Sequence, residues 1–175
     1  CWQFIEAEDQ AFFQVETRTE QVRRLDFDVM DSKGCGWAKA ESMKLWKDEE
    51  YVLIVDSHMR FEENWDEGLI NILNSCPSEK SLISTHPAAY IPPNELKPST
   101  PQLVAKEFNE TSKILSIRSY NRKLSKPKRN AFIAGGFVFA SAELFNQVPW
   151  DFNVYFQGEE IAFAVRAWTY GWDIY

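Results

Sequence analysis

The fold of this chain is decided by the stretch YVLIVDSHMRF, Tyr51–Phe61. Its first five residues are aromatic, β-branched or aliphatic, which predicts a strand covered on both faces of a sheet. The run then ends in an acid, a hydroxyl, an imidazole and a guanidinium. Because ligands in open α/β sheets bind beyond the carboxyl ends of such strands, the stretch predicts a ligand site at its end.

Two side chains at this strand end are candidate metal ligands. Asp56 and His58 are two residues apart, so their side chains project to the same side. A carboxylate and an imidazole can share a Mg²⁺ or Mn²⁺ ion that bridges substrate phosphates, and Arg60 can offer a bidentate fork to phosphate. The alternative is that Asp56 caps a turn and His58 fills a satisfied core position. We favour a metal site that holds a phosphorylated ligand.

The composition is that of a folded protein. The chain has 175 residues, of which 45% are hydrophobic and 15% aromatic, so we predict one domain over residues 1–175. Its formal net charge is −7. Nucleic acid is not an expected partner, because binding to phosphate backbones needs a basic face.

The cysteines and the lengths of the apolar runs indicate in which cellular compartment the protein is expected. Cys1, Cys35 and Cys76 show no metal-binding spacing, and an odd count favours reduced thiols in the cytoplasm. No apolar run approaches the ~20 residues that span a bilayer, and no signal peptide is visible. Because the chain starts at Cys1 and stops inside a predicted strand, we expect it to be part of a longer protein.

Hydrophobic periodicity and turn residues predict the other elements. Further strands are predicted at Gln21–Val29, Lys80–His86, Lys113–Tyr120, Ala131–Ala140 and Trp172–Tyr175. Helices are predicted at Gly36–Lys47, after Asn64, at Ala142–Gln147 behind a Ser141 cap, and at Gly158–Tyr170. A helix between the strands at Tyr51 and Lys80 favours a right-handed crossover and parallel pairing of those strands.

The helix after Asn64 has specific signals. Asn64 is a good N-cap, and Glu67 three residues later completes a capping box. Its predicted buried stripe consists of Trp65, Leu69, Ile72 and Leu73. Residues 87–101 hold five prolines, and a loop of this kind is often functional. His86, just before it, is interpreted as a loop residue.

Glu159 and Glu160 open a predicted helix. Acids in a first helical turn are stabilised by the helix dipole without any further role. The functional alternative is that one carboxylate faces a reacting centre, as base, nucleophile or anchor for an acceptor hydroxyl. Neighbouring helix positions face different directions, so only one of the two is expected to act.

Glycines and basic residues supply the remaining candidates. Gly135 and Gly136 lie inside a predicted strand, where glycine is destabilising. Their presence there is explained either by a sugar ring that approaches the backbone closely or by a bulge, and both explanations stay open. Gly34-Cys35-Gly36 leads into a predicted helix that has Lys39 near its first turn. Such a helix start can bind an anion, although an ordinary turn is the simpler interpretation. Arg23 is a candidate for phosphate binding or for a surface ion pair.

The order of these motifs resembles one family. From about Gln21 to Tyr175 the chain is similar to the N-acetylglucosaminyltransferase family that includes cytosolic enzymes modifying hydroxyproline on an F-box-complex adaptor protein. The resemblance is carried by Ala38-Lys39, Glu50-Tyr51, Asp56–Phe61, Trp65-Asp66, Gly135-Gly136-Phe137, Val148-Pro149, Gly158-Glu159-Glu160 and Trp168–Tyr175.

The resemblance implies an α/β fold of the GT-A-like nucleotide-diphospho-sugar transferase type. That fold has a mostly parallel central sheet flanked by helices, and the sequence is expected to lack its first strand. Asp56-Ser57-His58 stands in place of the Asp-x-Asp motif that binds metal and donor diphosphate. The implied reaction moves N-acetylglucosamine from UDP-GlcNAc to a hydroxyl acceptor, such as hydroxyproline, with Mn²⁺ or Mg²⁺, in the cytoplasm.

The complete predicted site follows from the motifs and the resemblance together. Asp56 and His58 are the predicted metal ligands, and Glu159 and Glu160 are the predicted catalytic carboxylates. The predicted donor-binding residues are Arg23, Lys39, Asp56, Ser57, Arg60, Gly135 and Gly136. Two alternatives stay open: a glycosyltransferase acting on a bacterial surface glycan, and a degenerate GT-A domain that binds a glycan or protein without catalysis.

Overall fold

Strands and helices alternate irregularly along the chain in the computed structural model, which describes residues 2–4, 20–93, 95–97, 101–121 and 124–175. The strands are β1 Trp2–Phe4, β2 Asp26–Asp28, β3 Tyr51–Val55, β4 Ser81–Ser84, β5 Tyr90–Ile91, β6 Glu95–Leu96, β7 Pro101–Phe108, β8 Leu115–Asn121, β9 Phe137–Ser141 and β10 Asp173–Ile174. The helices are α1 Cys35–Met43, α2 Trp65–Asn74, α3 Ala142–Gln147 and α4 Glu159–Thr169.

Two compact units make up the chain. The smaller consists of Cys1–Glu49 and Pro149–Glu159, and the larger of Glu50–Val148 and Glu160–Tyr175. None of the helices in the described ranges is long and apolar enough to cross a membrane.

The main sheet of the larger unit is mixed and mostly antiparallel. Its strand order is β10-β4-β9-β3, and β9 runs antiparallel to both β3 and β4, while β10 is parallel to β4. The predicted mostly parallel sheet is therefore wrong. Strands β3 and β4 point the same way, as the crossover through α2 requires, but β9 lies between them. Local periodicity did not indicate this insertion, because β9 comes from much later in the chain.

Burial differs between the strands of this sheet. All four residues of β4 are buried, whereas β3 lies at an edge of the described sheet and Val55 is 37% exposed. The prediction that Tyr51–Val55 is covered on both faces is wrong, although the strand itself is confirmed. Tyr51 stacks on Phe139 of the neighbouring strand with ring centroids 5.7 Å apart, which ties the edge strand to the core.

The predicted helices are present, but some of their caps are not. Helix α2 begins after Asn64, which has a left-handed φ of 57° and makes no side-chain cap, so the predicted capping box is wrong. Trp65 and Ile72 are 40% and 43% exposed, so the predicted buried stripe is also wrong in part. Helix α3 has the predicted bounds, although Ser141 makes no side-chain cap. Helix α4 is followed at Gly171 by a φ of 83°, the left-handed backbone that favours glycine.

Three strands that were not predicted, β5, β6 and β7, lie in the described part of the proline-rich region or directly after it. Strand β7 pairs antiparallel with β8, which confirms most of the strand predicted at Lys113–Tyr120. Within residues 87–101, β5 and β6 form a second small antiparallel pair. Strand β7 was missed because it starts at Pro101, a residue that normally marks a loop.

The smaller unit pairs β1 with β2 in parallel and carries α1. Strand β2 is shorter than the predicted strand Gln21–Val29 at both ends, because residues 21–25 are turn or irregular and a 3-10 helix begins at Val29. Phe27 packs edge-on against Trp37 with ring centroids 4.7 Å apart. Cys1, residues 98–100 of the proline-rich loop and residues 122–123 lie outside the described residues.

Candidate active site

A cavity of about 770 Å³ opens at the carboxyl end of β3 in the larger unit. This volume lies within the range of about 300–1,000 Å³ that is usual for small-molecule sites. Its wall is formed by residues 55–56 and 58–65, by Gly68 and Leu69 of α2, by residues 86–90 and Leu96, and by Gly136, Phe137 and Glu160. The strand end predicted to carry a ligand site thus lines a cavity of ligand size.

Asp56 is placed by the turn that precedes β9. Its backbone N–H donates to the carbonyl of Gly136 at 3.1 Å. A Cβ at Gly136 would lie 2.6 Å from the carboxyl carbon of Asp56, closer than real contacts allow. Gly135 and Gly136 form a tight turn, in which the N–H of Phe137 donates to the carbonyl of Ala134 at 2.9 Å. The strand predicted at Ala131–Ala140 is therefore wrong in its first half. Gly136 leaves room for the carboxylate.

Asp56 and His58 form a pair that could share an ion. The Nε2 atom of His58 lies 3.9 Å from Oδ2 of Asp56, and the two side chains are 72% and 54% exposed. The alternative in which His58 fills the core is wrong. The described residues contain no cluster of three or more His, Cys, Asp or Glu groups able to hold a metal. A pair still fits Mg²⁺ or Mn²⁺, because such ions take their other ligands from water and substrate phosphate.

Glu160 joins the same cavity. Its Oε1 atom accepts a hydrogen bond from the backbone N–H of Gly135 at 2.5 Å. This contact connects the start of α4 to the glycine turn beside Asp56. One cavity of the larger unit is therefore lined by Asp56, Gly136 and Glu160, which lie far apart in sequence.

Aromatic side chains complete the cavity wall and were not predicted as site residues. Phe61 and Trp65 lie with ring centroids 4.7 Å apart, and the guanidinium of Arg60 lies 4.7 Å from the ring centre of Tyr90. Ser57, in the turn after Asp56, is exposed and does not line the cavity. The sequence signal that could have predicted these residues is the presence of aromatic residues directly after the polar strand end. The functional interpretation of the proline-rich loop already covered the region of Tyr90.

His86 also lines the cavity, from the loop after β4. The prediction that it is a loop residue is confirmed. Its Nδ1 atom forms a short hydrogen bond with the hydroxyl of Ser119 on β8. This bond holds the imidazole against the hairpin, so His86 has a structural partner at the cavity wall.

Glu159 has different partners, all in the smaller unit. Its side chain is 6% exposed, and its Oε1 accepts from Nζ of Lys39 at 2.7 Å and from Sγ of Cys35 at 3.6 Å. Lys39 also lies 4.3 Å from the ring centre of Trp150. Burial raises the pKa of the Cys35 thiol, which keeps it a proton donor. The Oε2 atom of Glu159 is buried and has no hydrogen-bond partner among the described residues.

The glycine turn before α1 is closely packed. The N–H of Cys35 donates to the carbonyl of Tyr155 at 2.7 Å, and a Cβ at Gly36 would lie 2.6 Å from the carbonyl oxygens of Asp151 and Val154. Backbone of the chain itself therefore explains why glycine stands at Gly34 and Gly36. Arg23 forms an ion pair with Glu49. The donor-binding roles of Arg23 and Lys39, and the catalytic role of Glu159, stay predictions.

The chain is therefore an α/β protein with a cavity of ligand size at the end of a sheet strand, lined by an acid, an imidazole and a guanidinium. The sequence matches the glycosyltransferase (GlcNAc) family over residues 3–175, so the chain belongs to that family, and the predicted resemblance is confirmed. It is a glycosyltransferase of the N-acetylglucosamine type. No curated protein and no solved structure matched the chain.

Proposed function

We propose that this protein transfers N-acetylglucosamine from UDP-GlcNAc to a hydroxyl acceptor at a GT-A-like donor site. The observation that carries the proposal is the position of the Asp56 carboxylate. It lies at the end of β3, against Gly136, in a cavity that Arg60 and Glu160 also line. The family supports glycosyl transfer of the GlcNAc type. The cavity lining includes His58, Arg60 and Glu160, polar groups of the kind that bind sugar hydroxyls and phosphates directly or through an ion.

Asp56 and His58 would hold a Mn²⁺ or Mg²⁺ ion through a carboxylate oxygen and Nε2. When bound, such an ion offsets the charge that develops on the leaving diphosphate. Arg60 would donate to diphosphate oxygens, because its guanidinium stacks on Tyr90 at the cavity wall and is not committed to a carboxylate by any described ion pair.

Glu160 is the better candidate of the two adjacent acids for proton chemistry. Its Oε1 accepts one backbone N–H, which orients the carboxylate, and the side chain lines the cavity. A carboxylate fixed in this way can accept the proton of an acceptor hydroxyl as the glycosidic bond forms. Glu159 is instead held by Lys39 and Cys35, which suits a structural role.

The acceptor that we propose is hydroxyproline in a protein, by similarity to the cytosolic enzymes that the motifs resemble. The described free thiols, Cys35 and Cys76, suit the reducing cytoplasm that such a reaction implies. The test incubates the full-length protein with UDP-GlcNAc, Mn²⁺ and a hydroxyprolyl peptide, with the matched prolyl peptide as control. The proposal expects one added N-acetylhexosamine on the hydroxyprolyl peptide, detected by mass spectrometry, and none on the control.

The outcomes of this assay separate the parts of the proposal. Release of UDP without peptide modification would retain the transferase and reject the hydroxyproline acceptor. Neither UDP release nor peptide modification, with Mn²⁺ present and the protein folded, would contradict the enzymatic proposal.

A further inference from the structure

A second cavity lies in the larger unit, away from the residues of the candidate active site. It measures about 330 Å³ and is formed by α4, by β10 and by the segment before the glycine turn. The lining residues are Arg129, Asn130, Ala131, Ala164, Val165, Trp168, Trp172, Asp173 and Ile174. None of them lines the cavity at Asp56, so this pocket needs an explanation of its own.

An exposed tryptophan dominates the pocket. Trp168 is 70% exposed on α4, whereas Ala164, Trp172 and Ile174 are buried and form the base. Exposed large hydrophobics are common on this protein, but Trp168 borders a buried apolar base, so a ligand seated there would remove apolar area from water. The wide, flat indole beside a closed apolar base offers a platform for a ring-shaped ligand.

Fixed polar groups line the same pocket. Arg129 forms an ion pair with Oδ2 of Asp173, and it also donates to the hydroxyl of Ser78 at 3.2 Å. The amide oxygen of Asn130 accepts from the N–H of Ala131 at 2.8 Å, so the side-chain NH₂ is the group that remains to donate to a ligand. The pocket therefore combines an acceptor carboxylate with guanidinium and amide donors, all held in place by neighbours.

The charge and size of the pocket restrict the ligand. Asp173 balances the charge of Arg129, which disfavours a phosphate or another anion. The volume is near the lower end of the range of about 300–1,000 Å³ for small-molecule sites, too small for a nucleotide sugar or a helix. A pyranose ring has an apolar C–H face and a rim of hydroxyls that both donate and accept. We propose that this pocket is a second saccharide site that binds one neutral sugar ring on Trp168.

The test uses full-length protein labelled with 5-fluorotryptophan and followed by ¹⁹F NMR. The Trp168 resonance is assigned by its loss in Trp168→Phe, and the protein is titrated with the methyl glycosides of N-acetylglucosamine, glucose, galactose and mannose. We expect at least one glycoside to shift the Trp168 resonance in a saturable way. The same shift is expected in Asp56→Asn, which separates this pocket from the donor cavity whether or not the proposed transfer reaction is correct.

Variants compared by ligand-observed saturation transfer complete the test. We expect Trp168→Ala to weaken binding of the active glycoside about tenfold, which corresponds to about 1.4 kcal/mol. Tyr170→Ala, at an exposed position near the same helix end but outside the pocket, is the matched control and should bind normally. No saturable shift with any glycoside would overturn the proposal. The proposal would also be overturned if glycerol, or a proline-rich peptide without sugar, shifted the Trp168 resonance as much as the active glycoside does.

Discussion

The N–H of Asp56 donates to the carbonyl of Gly136 at 3.1 Å, and the Asp56 carboxylate occupies the space where a side chain at residue 136 would begin. Gly136 ends the turn before β9, and Asp56 directly follows β3, so the relationship extends the antiparallel ladder by one step. The absence of a side chain at Gly136 is therefore part of how the carboxylate is positioned.

A methyl group at Gly136 should displace the Asp56 carboxylate. We expect Gly136→Ala to weaken metal-dependent UDP-GlcNAc binding about tenfold, or about 1.4 kcal/mol, measured by calorimetry. Gly68→Ala is the matched control, since Gly68 lines the same cavity and its added Cβ meets nothing within 4 Å. Because Gly68 lies inside α2, alanine there should raise the free energy of unfolding by about 0.5–1 kcal/mol. Equal donor affinity in both variants would show that Gly136 does not position Asp56.

Glu160→Gln tests the proposed proton acceptor. The amide oxygen of glutamine can still accept the N–H of Gly135, but the amide cannot take a proton from the acceptor. We expect kcat to fall about 100-fold with donor affinity and melting temperature nearly unchanged. A fall in melting temperature with proportionate loss of all activities would instead assign Glu160 a structural role.

Lys39→Met tests the buried ion pair with Glu159. Lys39 and Glu159 are 13% and 6% exposed, so removing the ammonium leaves a carboxylate buried without its charge partner. We expect the free energy of unfolding in urea to fall by about 3–5 kcal/mol, with much of the loss recovered in the double variant Lys39→Met/Glu159→Leu. Lys39→Arg keeps the charge and should cost less than Lys39→Met. A double variant no more stable than Lys39→Met would contradict the account.

The Cys35 thiol makes stability depend on alkaline pH. Its pKa is raised above the ordinary value of 9.0 chiefly by burial, so the native state keeps the proton at a pH where the unfolded chain releases it. The stabilisation is complete below about pH 9 and declines as the pH rises from there through the native pKa. We expect urea unfolding between about pH 8 and 10 to show a steeper decline in wild type than in Cys35→Ser, whose hydroxyl does not titrate there. Parallel curves would contradict this prediction.

Local sequence patterns predicted several elements because those elements depend on local chemistry. Strand β3 follows an unbroken apolar run, and α3 has the predicted bounds Ala142–Gln147. The place of β9 between β3 and β4 depends on pairing between distant segments, which a periodicity of two does not specify. The helical stripe of α2 was misjudged at Trp65, because an apolar residue beside a ligand cavity remains exposed.

The same division applies to the candidate site. The abrupt polar end of an apolar strand indicated that Asp56, His58 and Arg60 lie together, and all three line one cavity. The different partners of Glu159 and Glu160 were not, because adjacent acids in a first helical turn look equivalent in sequence. Only the contacts with Lys39 and with Gly135 distinguish the two carboxylates.

The most direct test of the central claim is calorimetric binding of UDP-GlcNAc to the full-length protein. The titration is run with Mn²⁺ and with chelator, on wild type and on Asp56→Asn, which preserves the size of the side chain but removes its charge. We expect wild type to bind UDP-GlcNAc only when the ion is present and Asp56→Asn to lose this binding, while thermal unfolding of the variant stays normal. Binding that survives both chelation and the Asp56→Asn substitution, or no donor binding to folded wild type, would contradict the central claim.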